Sequence, residues 1–406
     1  MAKVAVMGCG TVGAGVIQVL MMNSDVIARR VGEPVEVVKA LDLREFPGTP
    51  IEKILTHDFQ DILNDPEISV VVETMGGLKP AYQFTKQLLE AGKSVCTSNK
   101  ELVAEYGVEL LETARAHSAN YMFEASCGGG IPIIRTLNES LTAEEIEEVT
   151  GILNGTTNYI LTNMADEGKD FATALKEAQD MGYAELHPEA DVEGWDACRK
   201  IAILSSLAYG GHISYKDVMT EGITAIDDAD IEYAAKLDCR IRLLATSRRE
   251  KDGIWALVAP MMIGHENPLT AVDGVMNAVM VKGNAVGTTM YYGSGAGSLP
   301  TASAVCGDVI ECVRKQDVIR RDYSFEPIGL LSVDEIERPF FVRYRGTETE
   351  AIRKYGEISH ITRLKKYPDE FGFLTPVMAE KAFRAAAAGD ESVIKWIRRG
   401  KKEEAE

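Results

Sequence analysis

Between Glu189 and Lys200 the chain reads EADVEGWDACRK, with four carboxylates in eight positions followed by Arg199 and Lys200. Asp196 and Lys200 are four residues apart, so on a helix they share one face. Taken alone, the pair reads as an ordinary dipole complement with a surface ion pair. That reading leaves out Glu185, Asp191 and Glu193, which crowd the stretch just upstream. A dehydrogenase of simple 2-hydroxy acids would need an arginine fork for the carboxylate and a histidine as acid and base. Carboxylates grouped around one lysine suit the opposite substrate, one that carries an ammonium, with the lysine exchanging a proton at the reacting oxygen. His187 is the other candidate acid, but it precedes Pro188 in an acidic loop, and Lys200 is favoured on geometry.

A second set of residues supplies a redox partner for that chemistry. GCGTVG places Gly8, Gly10 and Gly13 after an apolar strand and at the start of a helix. The first glycine permits a tight turn, the second close approach of a pyrophosphate, and the third helix-to-strand packing, with the helix N-terminus facing the anion. Asp42 follows the next strand and would favour the ribose hydroxyls of NAD. Arg44 could instead meet the 2′-phosphate of NADP, so NAD and NADP both stay open. Thr74 in ETMGG and Lys100 in SNK lie at carboxyl ends of strands, where open α/β sheets bind ligands.

FEASCGGGIP carries Glu124, Cys127 and a run of glycines. Such a turn could aim carbonyls at a hard monovalent cation such as sodium, but a domain-crossing turn before a proline-started helix is the favoured reading. ASC before glycines also resembles the nucleophile segment of phosphorylating aldehyde dehydrogenases, in which the Cys127 thiolate would attack the carbonyl. No histidine sits in an obvious partner segment, and a lone cysteine is more often a small buried apolar residue.

The elements that must position these residues change in texture along the chain. Up to about residue 137, β-branched runs such as KVAVMG, VEVVKALD and ISVVVET alternate with amphipathic helical stretches, predicting an α/β, doubly wound parallel sheet. GSGAGSLPTASAV predicts a glycine turn and a helix, about 298–320, that completes this dinucleotide-binding domain. Residues 138–297 predict an α+β substrate-binding and dimerisation domain, in which Gly194 and the residues before it form a loop and a helix begins near Trp195. A small β-rich module with one good helix is expected over 337–406. The 406 residues suit two or three domains at roughly 150 residues each.

A formal charge of −19, from 43 basic and 62 acidic residues, disfavours nucleic acid and anionic membrane surfaces as partners. The start MAKVAVMGCG enters a strand directly, leaving no room for a secretory signal, and the seven scattered cysteines form no CxxC pair. A cytoplasmic protein with reduced thiols is expected.

With these residues in hand, the chain resembles homoserine dehydrogenase. VAVMGCGTVG, SNKELVAEYG, FEASCGGGIPII, GILNGTTNYIL, GYAELHPEADVEGWDACRKIAIL and GSGAGSLPTASAV follow in collinear order over about the first 320 residues. The resemblance implies NAD(P)H-dependent reduction of L-aspartate 4-semialdehyde to L-homoserine, an oxidoreductase step toward threonine and methionine, by a homodimer or homotetramer. It implies Lys200 as proton donor assisted by Lys100, and Glu185, Asp191 and Asp196 as substrate-binding or orienting groups. The cofactor would touch Gly10, Thr11, Val12, Gly13, Thr74, Lys100, Gly182 and Gly297. Sodium would be held by Glu124 and the carbonyls of Cys127, Gly129 and Ile131, with Cys127 standing where valine is expected. The C-terminal module resembles an ACT regulatory domain, βαβ in character, with a shortened first helix and without the DxPG-like ligand turn. The alternatives are the Cys127-dependent aldehyde dehydrogenase and a non-catalytic dinucleotide or amino-acid sensor.

Overall fold

A computed structural model describes residues 1–314 and 325–400. The chain divides into two compact units. The first comprises Met1–Ile146, Ala202–Tyr215 and Gly283–Ile328. Its strands are β1 (Ala2–Met7), β2 (Val35–Leu41), β3 (Leu55–Thr56), β4 (Ile68–Glu73), β5 (Ser94–Thr97) and β6 (Tyr121–Met122). They form one sheet in the order β3-β2-β1-β4-β5-β6, with every pairing parallel. This is the doubly wound dinucleotide-binding order, and its switch point lies between β1 and β4. The apolar runs are nearly continuous because helices cover the sheet. Helix Ser298–Arg314 returns to this unit and packs on helix Thr11–Met22. Val4, Val6, Val16, Leu20, Val305 and Val309 share one core. The stretch 315–320, assigned to the same domain from sequence, lies outside the described residues.

The second unit comprises Glu147–Ile201, Lys216–Lys282 and Gly329–Glu406. Its centre is a long antiparallel hairpin, Cys239–Glu250 with Gly253–Gly264, in register from Gly253↔Glu250 to Gly264↔Cys239. Strand Ile146–Ile152 adds to the outer side of the first of these strands at Thr150↔Thr246. On the other side Val393–Arg399 joins in parallel, pairing Met261↔Arg398. That last strand leads into Phe340–Tyr344, then Phe371–Leu374, then Ser359–Thr362, all antiparallel.

The tail after residue 337 therefore continues the sheet of this unit. Apart from the two-residue strands Glu337–Arg338 and Met378–Ala379, which pair with each other, its element order is βαββαβ, with helices Glu348–Tyr355 and Glu380–Ala387. Two helices form where the sequence suggested one good one. The first is short, but the Thr347–Glu350 capping box satisfies its opening amides. Phe340, Phe373, Phe383 and Tyr355 fill the core beneath these helices. Among the described residues, no single helix is long and apolar enough to cross a membrane.

Candidate active site

In the first unit the glycine turn closes directly over the switch point. Gly8, at φ +89°, sits so close to Thr74 that a Cβ would lie 2.8 Å from the Thr74 carbonyl. A Cβ on Gly13 would lie 1.9 Å from Gly8 O, while one on Gly10 would meet nothing within 4 Å. The first and third glycines are thus required by packing, and the second leaves room for an approaching phosphate. Thr74 Oγ1 donates to Gly8 O at 2.7 Å and ties the loop after β4 to the loop after β1. Thr11 and Val12 open the helix whose N-terminus faces that space. Ser298 Oγ donates to Thr11 O at 2.7 Å, which sets the GSGAG turn, with Gly297 exposed at φ +119°, beside the same helix start.

Asp42 accepts the Cys9 amide at 2.7 Å and binds the Arg44 guanidinium at 2.9 Å through both Nε and Nη2. Arg44 holds the Asp42 carboxyl well below the usual carboxylate range. The two residues that the sequence offers for NAD and for NADP are therefore joined in one ion pair at the end of β2.

Lys100 begins helix Lys100–Ala116, and Asn99 caps it by accepting from Leu102 N at 3.1 Å. Beneath it lies Glu73, fully buried, a residue the sequence did not single out. Its carboxylate accepts Met75 N at 2.8 Å and Thr97 Oγ1 at 2.6 Å, and Thr97 Oγ1 in turn accepts Asn99 N at 2.9 Å. Asn99 Nδ2 donates to Gly77 O at 2.7 Å. One carboxylate thus organises both loops that carry Thr74 and Lys100. The only clue in the sequence was an acidic residue ending an apolar strand.

The glycine-rich turn is equally constrained. Glu124, 3% exposed, accepts Ile134 N at 2.9 Å and Arg135 N at 2.7 Å. Gly128 and Gly129 have φ of +71° and +55°, and Gly130 N donates to Ser294 O at 3.0 Å. Ile131 is also buried. Among the described residues no group of three or more His, Cys, Asp or Glu is arranged to hold a metal. A cation here would have to rest on Glu124 and carbonyls, a hard all-oxygen set that suits sodium and not a transition metal. Cys127 is 0% exposed. An inaccessible thiol cannot attack a substrate carbonyl, so the aldehyde-dehydrogenase alternative fails on this residue.

In the second unit the acidic segment folds around Lys200. Helix Trp195–Tyr209 carries Asp196 and Lys200 on one buried face. Lys200 Nζ donates to Asp196 Oδ2 and to Leu153 O, each at 2.7 Å. Asn154 Nδ2 donates to Asp191 Oδ1 at 2.7 Å and to Asp196 Oδ2 at 2.8 Å. Asn154 also caps helix Gly155–Glu167 by accepting from Thr157 N. Asp191, Asp196 and Lys200 are therefore brought together through Asn154, which sequence reasoning missed. An asparagine just before GTTNYIL was a capping signal but not a catalytic one.

The stretch expected as a loop contains a short helix, Glu189–Val192, started by Pro188 with Glu189 and Asp191 in its first turn. Glu185 and Gly182 stand exposed in the turn before it. His187 is also exposed, its side chain at 84%, which leaves Lys200 as the buried candidate acid.

Residues 132–310 match the homoserine dehydrogenase family, and residues 8–124 match the homoserine dehydrogenase NAD binding domain. A homoserine dehydrogenase of Pseudomonas aeruginosa is 44% identical over 360 residues, 85% of this chain and 82% of that one. The chain belongs to the homoserine dehydrogenase family. The solved structure of a homoserine dehydrogenase from Thiobacillus denitrificans superposes with a TM-score of 0.92 at 38% identity, covering 98% of both chains. A hyperthermophilic archaeal homoserine dehydrogenase in complex with NADPH matches with a TM-score of 0.64 at 27% identity, over 76% of this chain and 97% of that one. This member of the homoserine dehydrogenase family is accordingly an NAD(P)-dependent oxidoreductase acting on a small molecule. The sensor alternative finds no support in any of these matches.

Proposed function

We propose that the chain interconverts L-aspartate 4-semialdehyde and L-homoserine, with Lys200 exchanging the proton at the substrate oxygen. The observation that carries this is the Lys200–Asp196–Asn154–Asp191 chain, buried up to a half-buried Asp191, whose short charge-assisted bonds fix one ammonium donor among carboxylates. The nicotinamide, when bound, supplies or accepts the hydride. Asp191 and Asp196 present negative charge to the substrate ammonium, Glu185 joins them from the exposed turn, and Lys100 assists from the start of its helix. Gly8, Gly10, Thr11, Val12, Gly13, Thr74, Gly182 and Gly297 line the cofactor, while Asp42 and Arg44 choose between NAD and NADP. Glu124 with the carbonyls of Cys127, Gly129 and Ile131 would hold sodium, which would rigidify the turn.

Oxidation of L-homoserine with NAD or NADP, with and without sodium, tests the reading. Lys200→Ala is expected to lower kcat by about 10²–10⁴-fold, the usual worth of a general acid, while leaving cofactor binding intact. Near-normal turnover in that variant would refute the assignment.

The strand Gly287–Ser294 alternates in exposure and presents Met290 and Tyr292 outward. We take it as a surface that a second copy covers, giving a homodimer or homotetramer in solution, and light-scattering mass measures this directly. A cytoplasmic location fits the scattered cysteines.

A further inference from the structure

The last strand, Val393–Arg399, carries a buried cation whose reach ends at the acidic segment. Arg398 is 1% exposed. Its Nε and Nη2 bind both oxygens of buried Glu380, at 2.9 and 2.6 Å. Its Nη1 and Nη2 grip both oxygens of Glu221, at 2.5 and 3.0 Å. Glu221 opens the segment Glu221–Thr224, which lies directly against Val192 and Glu193. Ile223 N donates to Val192 O at 2.8 Å, and Thr224 Oγ1 donates to Glu193 Oε1 at 3.2 Å. A Cβ on Gly222 would lie 2.2 Å from Val192 O and 2.5 Å from Glu193 Cα. Gly194, at φ +84°, packs more loosely, a Cβ there lying 3.1 Å from Thr220 Cγ2 and 3.2 Å from Val258 Cγ1. Val192 and Glu193 sit between Asp191 and Asp196, the two carboxylates that Asn154 joins.

We propose that Arg398 and Glu221 are positioning residues for the substrate site, through which the C-terminal module presses the Glu221–Thr224 segment against the turn carrying Asp191 and Asp196. The proposal rests on the reading that those carboxylates hold the substrate ammonium. It also gives Glu193 a role, as the acceptor that pins the turn to Thr224. The pair is buried at Arg398 but half-exposed at Glu221, so it contributes little net stability while its fork still fixes geometry. A bidentate guanidinium fork leaves Glu221 one orientation. At Gly222 the approach is backbone against backbone, so a displacement at Glu221 is passed on to Val192 and Glu193 with little slack there.

Steady-state L-homoserine oxidation by the full-length chain tests this with Arg398→Met, Arg398→Lys, Glu221→Gln and Gly222→Ala. The KM for L-homoserine is expected to rise about three- to thirtyfold in Arg398→Met, Glu221→Gln and Gly222→Ala, the range for residues coupled to a site without touching its ligand. The KM for the nicotinamide cofactor should stay at the wild-type value. Arg398→Lys keeps the charge without the fork and should recover part of the loss. Tyr355→Phe removes the Asp390 hydrogen bond in the same module and serves as the control, lowering Tm without moving KM.

If Arg398→Met fails to fold, Glu221→Gln and Gly222→Ala carry the test. Unchanged L-homoserine KM in both of these, or an equal rise in Tyr355→Phe, would overturn the positioning role. A wild-type chain that leaves L-homoserine unoxidised would overturn the functional reading, and this one with it.

Discussion

Lys200 reaches its position because a carboxylate and a carbonyl receive it on a helix face that is otherwise apolar. Ala197 and Leu204, three before it and four after it on the same face, are buried, so its ammonium would be costly without Asp196 Oδ2 and Leu153 O. At the proposed cofactor site, Arg44 and Asp42 neutralise one another. A 2′-phosphate can take the exposed guanidinium from Asp42, whereas a ribose hydroxyl needs only the carboxylate. Arg44→Ala is therefore expected to raise the KM for NADPH about tenfold, the low end for a lost charge-assisted bond, and to leave that for NADH nearly unchanged. Equal changes for the two cofactors would show that Arg44 does not meet the phosphate. Cys127 teaches the converse lesson, since its neighbours in sequence resembled a nucleophile segment, the lack of a partner histidine already weighed against that reading, and its burial removes it.

At the scale of elements, the loops after β4 and β5 are held by Glu73, whose carboxyl is raised by burial against the pull of its Thr97, Met75 and Asn99 hydrogen bonds. At low pH the group is protonated in folded and unfolded chains alike, and nothing is lost. As pH rises through the ordinary glutamate range, the unfolded chain ionises first and stability falls until the raised folded value is passed. The gain in Tm of Glu73→Gln over wild type should thus be larger near about pH 8 than near about pH 4. Thermal melts at the two pH values check it, and a larger gain at the acidic end would contradict it.

The glycine turn was legible because GCGTVG needs its glycines for reasons of local space, and strand alternation exposed the parallel sheet. Asp196 and Lys200 were legible for the same reason, being one helical turn apart. Glu73 and Asn154 were not, because each acts through loops remote in sequence. Arg398 and Glu221 are 177 residues apart, and no periodicity spans that distance.

For the whole molecule, the tail is built into the second unit's sheet and has an aromatic core of its own. Phe383 stacks on Phe340 with ring centroids 4.1 Å apart and meets the edge of Trp396 at 5.2 Å. Phe383→Ala is expected to cost about 3–5 kcal/mol, as for other buried aromatic truncations. Because Val393–Arg399 is hydrogen-bonded to the central hairpin, that loss should lower the transition of the whole second unit and should not create a separate early melt. Calorimetry distinguishes the two outcomes.

The same parallel pairing at Met261 and Met262 has a consequence for trimming the gene. Ending the chain before Val393 would bare the Met261–Met262 end of Gly253–Gly264, a strand buried along nearly its whole length, and leave the backbone groups there seeking another chain. A shortened protein would be expected to clump rather than to persist as a smaller working enzyme, so the tail doubles as a guard against self-adhesion.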